Sequence, residues 1–150
     1  MKRSLLWGGL LTGVLAVAGC GGGGGGSNGA NAPTATSPFD VGPRAAESPV
    51  NDALAATGEG LFKSKTCSTC HGFGVRITGP DLKGVTSRRT EAWMRAWIKR
   101  PDVMTKQDPI ARDLLGKYAV QMPNLNLTDD EVQSLIEFLK KKDKDLAAKP

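Results

Sequence analysis

Apolar residues recur at helical spacing in several segments of this chain, and no segment alternates apolar and polar residues in the manner of a strand. The first helix is predicted over residues 50–65, where one face carries Leu54, Gly58, Leu61 and Phe62. A glycine costs a helix roughly 1 kcal/mol relative to alanine, so we expect another helix to pack closely against Gly58. The pattern predicts an all-α domain.

Two further helices are predicted in the middle of the chain. One covers residues 90–99, with an apolar side formed by Trp93, Met94, Trp97 and Ile98, and Pro101 is expected to end it. The next begins at Asp108, a residue that caps helices, with Pro109 in the first turn. Its apolar positions are Ile110, Leu114, Leu115 and Tyr118.

The last helix has the clearest start signal in the chain. Thr128 and Glu131 have the spacing of a capping box, and Leu127 and Val132 flank the cap as in a hydrophobic staple. The apolar stripe then continues through Leu135, Ile136 and Leu139. The segments between these helices, 72–89 and 120–126, are rich in glycine, proline and polar residues and are predicted to be loops.

The start of the chain has the composition of a sorting signal followed by a linker. Residues 1–19 combine an early positive charge with a short apolar stretch, which predicts a signal peptide and no membrane-spanning helix. Cys20 follows small residues and resembles the lipidated cysteine of bacterial lipoproteins; the alternative is a plain signal peptide with an incidental cysteine. The glycine-rich segment 20–49 is expected to be a flexible, disordered linker, residues 50–142 the folded domain and 143–150 a charged tail.

Composition and charge narrow the functional classes. The net charge of +5 is weak, and no basic stripe with interleaved aromatic residues is present, so a nucleic-acid partner is not expected. Aromatic residues make up only 5% of the chain, and a flat buried cofactor would help to fill a core that is otherwise thin. Three cysteines are an odd number for a disulfide framework, so each needs a separate explanation.

Cys67, Cys70 and His71 form a Cys-x-x-Cys-His pattern. Two thiols on one turn can each add to a vinyl group of a single porphyrin, and the histidine that follows can point its imidazole at the iron. Three other interpretations fit less well: a zinc site needs four ligands, a thioredoxin-like pair expects a βαβ unit, and a disulfide across so short a span would be strained. The pattern predicts one covalently bound haem c.

The second axial ligand of the iron has to come from elsewhere in the chain. His71 is the only histidine, so ligation by two histidines of this chain is excluded. Met94 is expected to pack in the core, because it lies on the apolar side of its helix. Met122 lies in a loop and is followed by Pro123, which favours it as the ligand, and Met104 in a polar turn is the alternative.

These features resemble the bacterial class I c-type cytochromes over residues 52–142. Gly58 and Phe62 resemble the glycine and aromatic residue of that family's first helix, and residues 135–139 resemble its last helix. Residues 79–82 resemble its Gly-Pro-x-Leu loop. The resemblance implies the small cytochrome c fold, with helices wrapped around one covalently bound haem.

The resemblance also implies roles for individual residues. The carbonyl group of Pro80 would accept a hydrogen bond from His71, and Met122 would belong to the distal loop. Trp97 would contact a haem propionate, although an ordinary place in the core remains open for it. The segment 101–118 is longer than in the smallest members and carries its own helix; the sequence does not define its role, but we expect it to shield one edge of the haem.

Histidine–methionine ligation would leave no open position on the iron, so the expected function is one-electron transfer, without enzymatic activity or a small-molecule substrate. The expected partners are membrane oxidoreductases or terminal reductases and oxidases. The carrier itself is expected to be exported and lipid-anchored on the periplasmic or cell-surface side of a bacterial membrane. Basic residues that could frame the haem edge toward an acidic partner are Lys63, Lys65, Arg76, Lys83, Arg88 and Arg89. The alternative is that these charges are scattered over an ordinary solvated surface.

Two alternatives to the electron carrier remain. One is a haem enzyme subunit or a small-ligand sensor whose sixth iron position is open or labile. The other is a lipoprotein without haem, in which the two cysteines form a disulfide.

Overall fold

The computed structural model describes residues 36–149, and their regular structure is helical, with no β-strand in that range. The six α-helices are α1 Asp52–Ser64, α2 Val85–Arg88, α3 Glu91–Lys99, α4 Pro101–Gln107, α5 Pro109–Tyr118 and α6 Asp129–Ala147. Short 3-10 helices cover Ala45–Glu47 and Cys67–Thr69. The predicted all-α class is confirmed.

Helices α1 and α6 pack against each other at Gly58. A Cβ atom on Gly58 would lie 1.9 Å from the carbonyl oxygen of Ser134 and 2.8 Å from the Cβ atom of Phe138, so only glycine fits here. The rings of Phe62 and Phe138 lie beside this contact, with 5.2 Å between their centroids. The predicted close approach at Gly58 is confirmed.

Helix α6 begins as predicted and ends later than predicted. Thr128 and Glu131 form both hydrogen bonds of the capping box. The helix then continues to Ala147, and Asp143 is buried on it. The Asp143 carboxylate accepts hydrogen bonds from the amide of Gly84 and from the amide and hydroxyl of Thr86. The predicted tail from residue 143 is therefore wrong in its first part, because this carboxylate caps α2.

Pro101 begins a helix as well as following one. It is the first residue of α4, a position where proline fits because its fixed φ suits the first turn and no amide donor is needed. Met104 consequently lies on α4 and is only 2% exposed. The sequence-based placement of Met104 in a polar turn is wrong.

Residues 36–49, called the strap from here on, pack on the helical domain. Arg44 and Thr90 form an antiparallel bridge, and Ala45 is buried. The Asp40 carboxylate accepts a hydrogen bond of 2.7 Å from the amide of Thr90, and Lys140 donates one of 2.6 Å to the carbonyl of Pro49. The prediction of a disordered linker up to residue 49 is therefore wrong for the strap, because specific polar contacts order it.

The predicted signal peptide, Cys20 and the glycine run lie outside the described residues. Within residues 36–149, no helix has the combination of length and apolar character that crossing a membrane requires.

Candidate haem site

Cys67, Cys70 and His71 lie on one tight turn that follows α1. Thr66, two residues after the end of α1, has a left-handed φ of 59°, and the 3-10 helix Cys67–Thr69 begins directly after it. The carbonyl oxygen of Cys67 accepts hydrogen bonds from the amides of Cys70 at 3.2 Å and of His71 at 3.0 Å. The turn holds the two cysteines and the histidine in a fixed relation, and neither thiol is in a disulfide.

This turn forms one wall of a cleft of about 190 Å³. That volume is more than ten times the space a single buried water requires, so the cleft is suited to a larger group. The described residues predicted for the site all line it, namely Cys67, Cys70, His71, Pro80, Trp97 and Met122. The folded chain thus gathers into one cleft residues that are far apart in sequence.

The imidazole of His71 is held by the loop that carries Gly79 and Pro80. Its Nδ1 atom lies 3.0 Å from the carbonyl oxygen of Pro80, and because a carbonyl only accepts, Nδ1 carries the proton and Nε2 is left to bind a metal. A Cβ atom on Gly79 would lie 2.7 Å from Cε1 of His71, so glycine is required for the loop to approach this closely.

The set of possible metal donors fits a haem better than a bare metal ion. In the part of the chain that the structure describes, no group of three or more His, Cys, Asp or Glu side chains could hold a metal ion. Burial raises the pKa of the Cys67 thiol, which disfavours the thiolate that zinc would need. A haem already supplies its ring nitrogens as iron ligands, so it requires from the protein only axial ligands and two thiols.

The three methionines of the domain differ in where they lie. Met94 and Met104 are each 2% exposed and belong to the hydrophobic core, away from the cleft. Met122 is half-buried in the loop between α5 and α6 and lines the cleft. Of the methionines in residues 36–149, Met122 is thus the one placed near His71.

Helix α5 supplies cleft residues that the sequence analysis did not name individually, although it expected the segment 101–118 to shield one edge of the haem. Leu114, Leu115 and Tyr118 line the cleft, so the segment 101–118 closes one of its sides. The guanidinium carbon of Arg76 lies 4.7 Å from the centroid of the Tyr118 ring and joins the loop after the cysteines to this helix. The apolar spacing on α5 was visible in the sequence, but no local signal indicated which surface it faces.

Trp97 lines the cleft and stacks on Trp93, with ring centroids 5.6 Å apart and planes inclined by 11°. Trp93 is buried, and its indole nitrogen donates a hydrogen bond of 3.1 Å to the carboxylate of Asp108. The sequence indicated that both tryptophans lie on one side of α3, but gave no sign of the bond to Asp108.

The predicted basic frame of the cleft is partly wrong. Arg89 is only 9% exposed and lies beside Asp40 of the strap, so it cannot present its charge to a partner. Lys65 lines the cleft, but its ammonium group is paired with Glu131 at 2.9 Å.

Comparison with known proteins agrees with the haem site that the geometry of the cleft indicates. The chain matches the cytochrome c family over residues 55–143. It is 33% identical to cytochrome c-551 of Ectopseudomonas mendocina over 85 residues, which is 56% of this chain and 95% of that protein.

Solved structures of cytochromes c resemble the fold. Cytochrome c from Rhodothermus marinus superposes with a TM-score of 0.62 at 28% identity, over 65% of this chain and 83% of that one. A cytochrome c domain from Pseudomonas putida does so with a TM-score of 0.53 at 38% identity, over 60% and 91%. The family match covers more than half of the chain and includes Cys67, Cys70 and His71. This chain therefore belongs to the cytochrome c family, the electron-transfer proteins that bind one haem c covalently through such a motif.

Proposed function

We propose that this protein is a one-electron carrier whose haem iron is ligated by His71 and Met122, and that it serves a periplasmic or cell-surface redox chain. The proposal is carried by the position of Met122, which lines the same cleft as His71 while Met94 and Met104 are buried in the core.

The haem, when bound, supplies the one-electron chemistry, and the residues of the chain hold the haem and provide the ligands of its iron. The thiols of Cys67 and Cys70 fix the group in the cleft, and the carbonyl of Pro80 orients the His71 ring. The thioether of Met122 would be the second protein ligand of the iron and would favour the ferrous state. The apolar side chains of α5 that line the cleft would restrict the access of water and outside ligands to the iron. Because both axial ligands would come from the chain, little ligand movement would accompany a change of oxidation state.

The remaining parts of the proposal concern location and partners. Cys20 is the lipid attachment site, which holds the carrier at the periplasmic or cell-surface side of a bacterial membrane. The partners are other redox proteins of that compartment, such as a membrane oxidoreductase or a terminal reductase or oxidase. The cleft residues that contact solvent around the turn Cys67–Thr69 provide the surface where such a partner docks.

The experiment that tests the function is carbon monoxide binding to the reduced protein at neutral pH. Methionine ligation protects the iron from outside ligands, so the wild type should bind the gas slowly and incompletely, whereas reduced Met122→Ala should bind it rapidly. In its oxidised form, Met122→Ala should also lose the long-wavelength methionine–iron absorption band.

Met122→His is the matched control, because it replaces one ligand by another in the same loop. It should resist carbon monoxide as the wild type does, but with a lower reduction potential. Rapid, complete binding by the wild type would instead favour the ligand-binding or enzymatic alternative. Survival of the absorption band in Met122→Ala would move the ligand role to another methionine.

A further inference from the structure

A carboxyl group buried behind the cleft joins three separate parts of the chain. Asp108 is fully buried, with 0% exposure, and stands at the start of α5. Its Oδ1 atom accepts hydrogen bonds from the amide of Ala111 at 2.8 Å and from the indole nitrogen of Trp93 at 3.1 Å. Its Oδ2 atom accepts a hydrogen bond from the hydroxyl of Ser37, which is itself buried in the strap.

One line of contacts leads from this carboxyl group to the cleft through the two tryptophans. Asp108 fixes the indole of Trp93 by its N–H group, and the Trp93 ring stacks on Trp97. Trp97 is a wall of the cleft. A change at Asp108 would therefore be transmitted to the position of the Trp97 ring, because packed aromatic rings have few alternative arrangements.

A second line of contacts runs along α5. Asp108 caps this helix, so the carboxyl group sets where the helix begins and how its first turn is oriented. Leu114, Leu115 and Tyr118 of the same helix line the cleft. Two different walls of the haem cleft thus depend on one buried side chain that does not itself line it.

We propose that Asp108 is a positioning residue for the haem cleft and that Ser37 completes its set of hydrogen bonds, so that docking of the strap is coupled to the protection of the iron. The proposal rests on the proposed ligation by Met122, since an iron protected by methionine becomes accessible only when the cleft opens locally. Weaker packing of a wall of the cleft should raise the population of that open state.

The test compares Asp108→Ala with Asp143→Ala in the full-length holoprotein. Both substitutions remove a buried carboxyl group that accepts hydrogen bonds from several donors and caps a helix, but Asp143 caps α2, away from the cleft. The measurements are the rate of carbon monoxide binding to the reduced protein, the reduction potential and the thermal unfolding midpoint.

Both variants should have lowered unfolding midpoints, but only Asp108→Ala should show faster carbon monoxide binding and a shifted potential. An increase of about tenfold in rate would correspond to about 1.4 kcal/mol in the free energy of opening. Asp108→Asn keeps an oxygen acceptor for Trp93 and Ala111 and should restore a rate near that of the wild type. Equal binding rates and potentials in Asp108→Ala, Asp143→Ala and the wild type would overturn the proposal.

Two milder variants keep the test decisive if Asp108→Ala does not fold. Trp93→Phe removes the indole donor but keeps an aromatic ring against Trp97, and Ser37→Ala removes the bond from the strap. Each should accelerate binding by a smaller factor, and an unchanged rate in both would overturn the proposal. Failure of the proposed methionine ligation is distinguishable, because the wild type itself would then bind the gas rapidly.

Discussion

The imidazole of His71 is held by two neighbouring residues that act in different ways. Pro80 accepts the hydrogen bond from Nδ1, and Gly79 lets the backbone approach the ring because it has no side chain. Hydrogen bonding to the outer nitrogen of a ligating histidine fixes the ring orientation and raises the basicity of the ligand. The contribution of Gly79 is thus steric and can be tested without removing any polar group.

Gly79→Ala should destabilise the protein by roughly 1–3 kcal/mol, since the new Cβ atom would lie 2.7 Å from Cε1 of His71 and either the ring or the loop would have to shift. Denaturant unfolding of the holoprotein measures the change. Gly116→Ala on α5 is the control, because a Cβ atom there has no neighbour within 4 Å, and it should leave the stability unchanged or raise it. Equal stabilities for the two variants would contradict this account.

Single residues differ in how well the sequence predicts them. Cys67, Cys70 and His71 are identified because their chemistry depends on local spacing. Asp108 was recognised only as a helix cap, since Ser37, one of its partners, lies 71 positions away and leaves no local pattern. Residues that act through distant contacts are therefore the ones that the sequence alone does not identify.

Among the helices, the contact between α1 and α6 depends on one position. Gly58 places the two backbones too close for any side chain, whereas Gly60 on the same helix has open space around it. Comparing substitutions at Gly58 and Gly60 therefore separates the effect of helix propensity on stability from the effect of packing between α1 and α6.

Gly58→Ala should destabilise the protein by about 3 kcal/mol or more, because a Cβ atom 1.9 Å from the Ser134 carbonyl forces the helices apart. Gly60→Ala should instead stabilise it by up to about 1 kcal/mol through helix propensity. Thermal unfolding of both variants checks the prediction. A loss of stability in Gly60→Ala as large as that in Gly58→Ala would show that the backbone contact is not the cause.

The capping box of α6 makes stability depend on pH. The backbone amide of Thr128, and then Lys65, hold the pKa of Glu131 below its ordinary value of 4.5. A carboxylate whose pKa is lowered in the folded state contributes stability above its ordinary pKa and loses that contribution as the pH falls through the lowered value. Its contribution is therefore complete at neutral pH and disappears on the acid side of 4.5.

Glu131→Gln keeps a side chain that can accept the hydrogen bond of the cap but removes the titrating charge. Its denaturation midpoint should be lower than that of the wild type at neutral pH, and the two should converge as the pH falls below the ordinary carboxylate range. Asp145→Asn, at the exposed far end of α6, removes one negative charge from the same helix and serves as the control. A constant difference at all pH values would contradict the assigned role of Glu131.

Helix positions were largely predictable, because caps and apolar periodicity are local. Helix α5 and the start of α6 were predicted with their capping residues. Helix α4 was missed, since a proline after α3 was interpreted only as a stop and not also as the first residue of a helix. Helix α2 was missed because its four residues are too few to show a period, and its cap comes from Asp143 on α6.

For the molecule as a whole, both boundaries of the folded region lie outside those that composition predicts. The strap has the Gly, Pro and Ser content of a linker, yet Asp40 accepts a hydrogen bond from the amide of Thr90, and Arg44 donates one to the carbonyl of Arg88. At the other end, the charged segment from residue 143 continues α6 to Ala147, and Asp143 is buried there against Gly84 and Thr86. A few specific hydrogen bonds thus order segments whose average hydrophobicity is low, and composition does not report them.

The proposed attachment to the membrane concerns the whole molecule and would depend on Cys20. Cys20→Ser should move the protein from the membrane fraction to the soluble fraction, because the acyl chains contribute roughly 0.8 kcal/mol per buried methylene and would be lost. Fractionation followed by haem absorbance measures this, with the spectrum and the reduction potential unchanged. Continued membrane association of Cys20→Ser would refute the lipid anchor.

The packing of α1 on α6 also bears on the order of events during biosynthesis. A chain that is made from its N-terminus delivers α1 and the Cys67–Cys70–His71 turn well before α6, which is the partner of Gly58. Contacts between segments so far apart form late, after the intervening chain has closed into a loop. The two thiols therefore stay accessible in an incompletely packed chain, and the covalent chemistry at them can be completed before the last helix packs against α1.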